Sequence, residues 1–184
     1  MAIVTTATAG MRAATRATIL QLRAPQSTAR AIEDEASNLV PLSPVPVVVS
    51  SRCDIALAAG AAGVNLPESD IPVEAARSLM GERLVGRSVH SLDAALRAEG
   101  DGADFVIFGP VWASASHPDS RPVGIEALAE VAHALEIPVL AIGGVTEDRV
   151  AECRDAGAAG FAAIGLYETT PRNHRFSRGP RFLE

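Results

Sequence analysis

Three groups of residues in this 184-residue chain have types and spacings that can do chemistry. The first is a set of glycines, Gly143-Gly144 and Gly165, each of which closes a short apolar run. Bare amides ahead of a helix suit a phosphate, although the same glycines can simply make tight turns. The second is Arg23, a charge at the end of the apolar stretch Thr18–Arg23. Its guanidinium can clamp an anion bidentately or pair with a carboxylate, and it can equally be a rim arginine in water. The third is the long loop from Pro110 to Gly124, with hydroxyls, Trp112, His117 and Arg121. Loops of that length in a compact domain are commonly lids or binding elements. His117 can act as a general acid or base, and a lone loop histidine can also be merely solvated. Ser50, Ser51, Asn65, Ser88 and His90 follow other apolar runs and would line the same pocket; His90, beside Ser91, reads as orienting its own turn.

Elements that bring these positions together are written in the hydrophobic pattern. Asp104–Gly109, Pro138–Gly144 and Gly160–Gly165 are apolar runs closed by glycine, with helical stretches between them. Ile125, Leu128, Ala129, Ala132 and Leu135 fall on one helical stripe, and Thr146 is placed to cap the next helix. Upstream, strands are predicted at Ala2–Thr6, Thr18–Arg23, Val47–Val49, Gly63–Leu66 and Arg83–Val89. Ser27 and Ser91 are expected caps, and Pro72 a helix start. Ala59-Gly-Ala-Ala-Gly-Val64 and Ala156-Gly-Ala-Ala-Gly-Phe161 nearly repeat, with Gly100–Phe105 a looser third copy. Each should end a helix on a left-handed glycine. Eight strands alternating with helices predict an α/β chain folded as one (β/α)8 barrel domain over residues 1–184, with a shortened first helix. Glu168–Glu184 is polar and weakly periodic, so the last helix is expected to be reduced or missing. The exposed barrel wall would then favour a homodimer or a draped tail.

Composition narrows the chemistry. The net charge of −6 argues against nucleic acid as a partner. No apolar run reaches the roughly 20 residues of a membrane span, and no secretory signal is evident, so a cytoplasmic location without membrane association is expected. All sixteen basic residues are arginine, which excludes Schiff-base lysine chemistry and a P-loop lysine. Cys53 and Cys153 fit no metal spacing and read as reduced core thiols.

At these residues the chain resembles the thiamine phosphate synthase/TenI family over nearly its whole length. The resemblance rests on Gln21-Leu-Arg23, Arg52–Leu57, Gly86–Ser91, Ala103–Pro110, Pro122-Val-Gly124 and Ile137–Thr146. It implies a (β/α)8 barrel, commonly dimeric, that acts in thiamine biosynthesis on a thiazole phosphate. Under the synthase branch it implies coupling of a hydroxymethylpyrimidine diphosphate to the thiazole phosphate, with Mg²⁺ and loss of pyrophosphate. Asp70 then matches a magnesium aspartate and Ser88 a diphosphate contact. The chain departs from that branch at Ala24-Pro25, at Ser50-Ser51 in place of an Asn-Asp pair, and at His117 in place of a lysine. Gly86–Ser91 and Asn65-Leu-Pro67 resemble the TenI branch instead, which implies a thiazole tautomerase needing no cofactor or metal. The tautomerase histidine falls at Pro110, and His117 is the expected substitute. The leading expectation is therefore a TenI-like tautomerase, with Arg23, Ser88, Gly143, Gly144 and Gly165 on the phosphate. A synthase using Mg²⁺ at Asp70 and a non-catalytic phosphate-ligand binder are the alternatives.

Overall fold

The structure is a computed structural model that describes residues 1–114 and 121–168. Eight parallel strands run in sequence order: β1 Ala2–Val4, β2 Leu20–Leu22, β3 Val47–Ser50, β4 Gly63–Leu66, β5 Leu84–Val89, β6 Phe105–Phe108, β7 Val139–Ile142 and β8 Gly160–Ala162. The sheet closes where Ile3 N donates to the Ala163 carbonyl at 2.9 Å and Ala163 N to the Met1 carbonyl at 3.2 Å. Between the strands lie α1 Ala7–Ala13, α2 Ala29–Leu39, α3 Cys53–Ala58, α4 Val73–Met80, α5 Leu92–Gly100, α6 Ile125–Ala134 and α7 Val150–Asp155. The short α8, Gly165–Glu168, follows β8. The expected barrel is therefore present. Its first helix is short, at seven residues, and its last has a single turn of four. The expectation for the tail lies outside the described residues beyond that turn.

Strand side chains alternate between two cores. Ile3, Val48, Phe105, Ile107, Leu140 and Ala162 pack inside the barrel. Val49, Val64, Val85, Val106 and Ala141 face outward against helix residues such as Ala56, Ala76, Ala95 and Leu128. Two glycines make this packing possible. A Cβ on Gly86 would lie 2.2 Å from the Phe105 ring, and one on Gly63 would lie 2.0 Å from the Leu84 carbonyl oxygen.

Local signals hold with two differences. Ser91 caps α5 by accepting from Ala94 N at 3.2 Å, and Gly60, Gly102 and Gly157 all adopt positive φ at the expected helix ends. Thr28, rather than Ser27, caps α2 through Ala31 N, since the Ser27 amide is taken up in a turn on the Ala24 carbonyl. Thr146 makes no side-chain cap; a 3-10 turn, Glu147–Arg149, precedes α7 instead.

The near-repeat around Gly60 and Gly63 generates a contrast. Gly60→Ala meets open space and should cost about 1 kcal/mol, from its left-handed backbone alone. Gly63→Ala runs into backbone and should cost roughly 3 kcal/mol or more by urea denaturation. Both cysteines are buried and free, and burial pushes each thiol pKa up. Thiol titration of the native protein at neutral pH should therefore be slow for both, and denaturation should make it fast.

Candidate active site

Inward-facing positions at the carboxyl ends of β2 to β5 carry polar side chains above the apolar barrel floor. Ser50 pairs with Asn65, Asn65 with Gly86, and Ser88 with Ile107 in the sheet register. Asn65 Nδ2 donates to Ser88 Oγ at 3.0 Å. Gln21 lies between Leu20 and Leu22 on β2 and is in register with inward-facing Val48. Gln21 and Asn65 are 2% and 1% exposed, and among the described residues Gln21 Oε1 and Asn65 Oδ1 accept no hydrogen bond. Buried polar oxygens ordinarily have donors, and leaving one without a partner costs about 1–3 kcal/mol. A donor from bound water or a ligand would satisfy each of them. Above them Arg23 ends β2, its amide bound to the Val4 carbonyl at 2.8 Å. No ion pair among the described residues includes its guanidinium.

After β3 the chain turns sharply. Ser51 takes φ 65°, and its amide donates to the Asn65 carbonyl at 3.1 Å. This brings loop 3 beside the loop after β4, whose Asp70 helps raise the Cys53 thiol pKa, behind the larger effect of burial. Asp70 thus acts electrostatically on the start of α3, which follows Ser50 and Ser51 in the chain. Asp70 Oδ1 accepts from Ile71 N at 2.8 Å. Among the described residues no three His, Cys, Asp or Glu side chains cluster to hold a metal on their own. Asp70 with the two serine hydroxyls is a sparse set of hard oxygen donors. That fits Mg²⁺, which is commonly held by one or two carboxylates and otherwise by substrate phosphates and water.

The loops after β6 and β7 are joined. The Gly109–Pro110 peptide is cis. Val111 N donates to the Ile142 carbonyl at 2.8 Å and Trp112 N to the Gly143 carbonyl at 3.1 Å, extending the sheet by one rung. Gly143 (φ 92°) and Gly144 (φ 65°) are required here: a Cβ would come within 2.4 Å of Pro110 and 2.5 Å of the Ala113 carbonyl, respectively. The tight-turn reading of these glycines is therefore correct, and it does not use their amides. Gly165, by contrast, opens α8 where a Cβ would have nothing within 4 Å, so neither space nor φ demands glycine there. Arg149 secures the junction, stacking 4.9 Å over the Trp112 ring and donating to the Gly144 carbonyl at 2.7 Å.

His90 is a tie rather than a pocket group: Nδ1 meets the Gly109 carbonyl and Nε2 lies 3.6 Å from the Glu68 carboxylate. Because Nδ1 faces a carbonyl, it carries the proton. Trp112 serves the loop junction. His117 lies outside the described residues. The sequence reading assigned no role to Gln21, quoted only within the Gln21-Leu-Arg23 motif, or to Arg149, which ties the loop junction. Gln21 had a signal, a lone amide in an otherwise apolar strand; Arg149 had none.

Comparison with known proteins bears on which chemistry this mouth performs. Residues 2–166 match the family model described as thiamine monophosphate synthase. The thiamine-phosphate synthase of Chloroflexus aurantiacus is 39% identical over 152 residues, covering 80% of this chain and 70% of the relative. That of Anaeromyxobacter dehalogenans is 44% identical over 149 residues, covering 79% and 67%. The solved thiamine phosphate pyrophosphorylase from Pyrococcus furiosus superimposes with a TM-score of 0.81 at 29% identity, covering 91% of this chain and 89% of that one. The tautomerase expectation is overturned by these relatives: the short TenI-like segments at Gly86–Ser91 and Asn65–Pro67 are outweighed by similarity to synthases along the chain. The isomerase assignment falls with it.

The loop junction can be read out directly, because Trp112 is the sole tryptophan. Arg149→Ala should shift Trp112 emission to the red while costing roughly 1 kcal/mol or less in global stability. Unchanged emission would show that Arg149 does not hold the loop.

Proposed function

The chain belongs to the thiamine monophosphate synthase family, and from that premise we propose that it is the coupling enzyme, joining a hydroxymethylpyrimidine diphosphate to a thiazole phosphate. In this reaction the ring nitrogen of the thiazole uses its lone pair to form a C–N bond to the pyrimidine methylene carbon. The C–O bond to the diphosphate breaks, and pyrophosphate leaves with that electron pair. A thiazole nitrogen has no proton to lose, so the coupling requires no general base, and the absence of a histidine at Pro110 removes nothing it needs.

The observation that carries this reading is the pair of donorless oxygens on Gln21 and Asn65. An aminopyrimidine supplies N–H donors on a flat ring of a size suited to a barrel mouth, which a thiazole phosphate alone does not. Ser88, held by Asn65, and Arg23 sit beside them for phosphate oxygens. The amides of Gly143, Gly144 and Gly165 donate to no backbone group among the described residues and are available to a phosphate monoester. Asp70, with Ser50 and Ser51 near it, would hold Mg²⁺ jointly with the diphosphate. The metal would supply charge neutralisation on the departing pyrophosphate. The chain's own residues bind and orient: the side-chain amides fix the pyrimidine, and the glycine amides fix the thiazole by its phosphate.

A coupling assay with both substrates and Mg²⁺, reading pyrophosphate release and thiamine phosphate, tests the proposal. Product in stoichiometric amount with pyrophosphate is expected. Thermal stabilisation by thiazole phosphate without any turnover would overturn it in favour of a binding protein. Gln21→Met separates function from folding. It removes a buried orphan oxygen and should raise stability by about 1 kcal/mol. The same change should lower kcat/KM by at least roughly tenfold, through the KM for the pyrimidine diphosphate.

A further inference from the structure

Arg87 occupies β5 between two residues whose side chains point inward, Gly86 and Ser88, and so points out of the barrel. Among the described residues its guanidinium pairs with no carboxylate. It spans to the loop after β4, donating Nη2 to the Glu68 carbonyl at 2.7 Å and Nη1 to the Ile71 carbonyl at 2.8 Å. The Asp70 carbonyl is 3.5 Å from Nη2. The loop needs such a span, because a groove of about 230 Å³ runs beneath it, lined by Asp70, Pro72, Val73, Arg87, Val89 and Arg97 among others. The other tie among the described residues is the weaker 3.6 Å approach of the Glu68 carboxylate to half-exposed His90. Adjacent residues of β5 thus hold both parts of β4's end: Ser88 accepts from Asn65 inside the barrel, and Arg87 fixes the following loop outside it.

We infer that Arg87 is a positioning residue for diphosphate handling: by holding the carbonyls of Glu68 and Ile71 it sets where the Asp70 carboxylate stands on the rim. This rests on the synthase reading. The planar fork of arginine can hold two carbonyls at once, which a lysine ammonium on a single stem does not reproduce. Groups that orient a ligating carboxylate commonly change affinity by about 10- to 100-fold when removed.

The test measures binding of pyrophosphate with Mg²⁺ by calorimetry, alongside amide hydrogen exchange, in the wild-type protein and in Arg87→Ala and Arg87→Lys. The expected result is affinity for pyrophosphate weakened about tenfold or more by Arg87→Ala and less by Arg87→Lys. Faster exchange should be confined to residues 67–72, and the KM for the thiazole phosphate should stay within about twofold of wild type. An Arg87→Ala protein with lowered thermal stability but unaltered pyrophosphate affinity would overturn the proposal and leave Arg87 a structural strut. If Arg87→Ala fails to fold, Arg87→Lys carries the same comparison, and unaltered affinity there together with unaltered exchange at 67–72 overturns it. Wild-type protein that does not bind pyrophosphate would also overturn it. Protein that binds pyrophosphate in an Arg87-dependent way yet couples no substrates would sink the synthase reading while sustaining this one.

Discussion

Two amide oxygens without donors, Gln21 Oε1 and Asn65 Oδ1, set the terms on which this barrel folds. Each is a cost of about 1–3 kcal/mol in the free protein. The strands that carry them are anchored on their outward face: Leu20 and Leu22 flank Gln21, Val64 and Leu66 flank Asn65, and all four are essentially fully buried. Replacing the amides with apolar groups would make a better core and a poorer mouth. Under the proposed function, retaining them keeps the inner layer of the barrel ready for a ligand that brings its own N–H groups.

The rim above that layer is held through backbone amides and carbonyls, with arginine forks rather than ion pairs as the side-chain ties. The Ser51 amide ties loop 3 to β4, the Val111 and Trp112 amides tie loop 6 to β7, and Arg87 holds loop 4 by its carbonyls. Among the described residues these ties leave the Arg23 guanidinium outside any ion pair. Gly143 and Gly144 belong to the same scheme. Close approach of Pro110 and Ala113 forbids a side chain at either position, and the positive φ that results leaves their amides clear of the sheet. Packing of loop 6 against β7 depends on that backbone conformation.

Much of the fold was legible from the pattern of residues. Parallel strands buried on both faces have to be short apolar runs, and Asp104–Gly109, Pro138–Gly144 and Gly160–Gly165 mark them out. The near-repeats located Gly60, Gly102 and Gly157 at left-handed helix ends, because a helix that must turn back within two residues needs that conformation. Caps were less legible: Ser27 and Thr28 are chemically equivalent, and the choice depends on whether the Ser27 amide is already used by a turn. The family branch was misjudged because short matches such as Gly86–Ser91 weigh local chemistry, whereas similarity of about 40% along most of the chain weighs the whole inner surface.

The sequence by itself determined the eight-strand barrel, the glycine-closed strand ends and the absence of lysine chemistry, since these follow from periodicity, backbone sterics and composition. Tertiary structure alone decided that Gln21 and Asn65 lack donors, that Gly143 and Gly144 are demanded by Pro110 and Ala113, and that His90 and Arg87 are ties rather than pocket groups. The partners are distant in the chain, with Ile71 the nearest at 16 residues from Arg87, or they are missing altogether. A side chain's role is set by what the folded barrel places against it, and no spacing rule along a strand or helix encodes that neighbour.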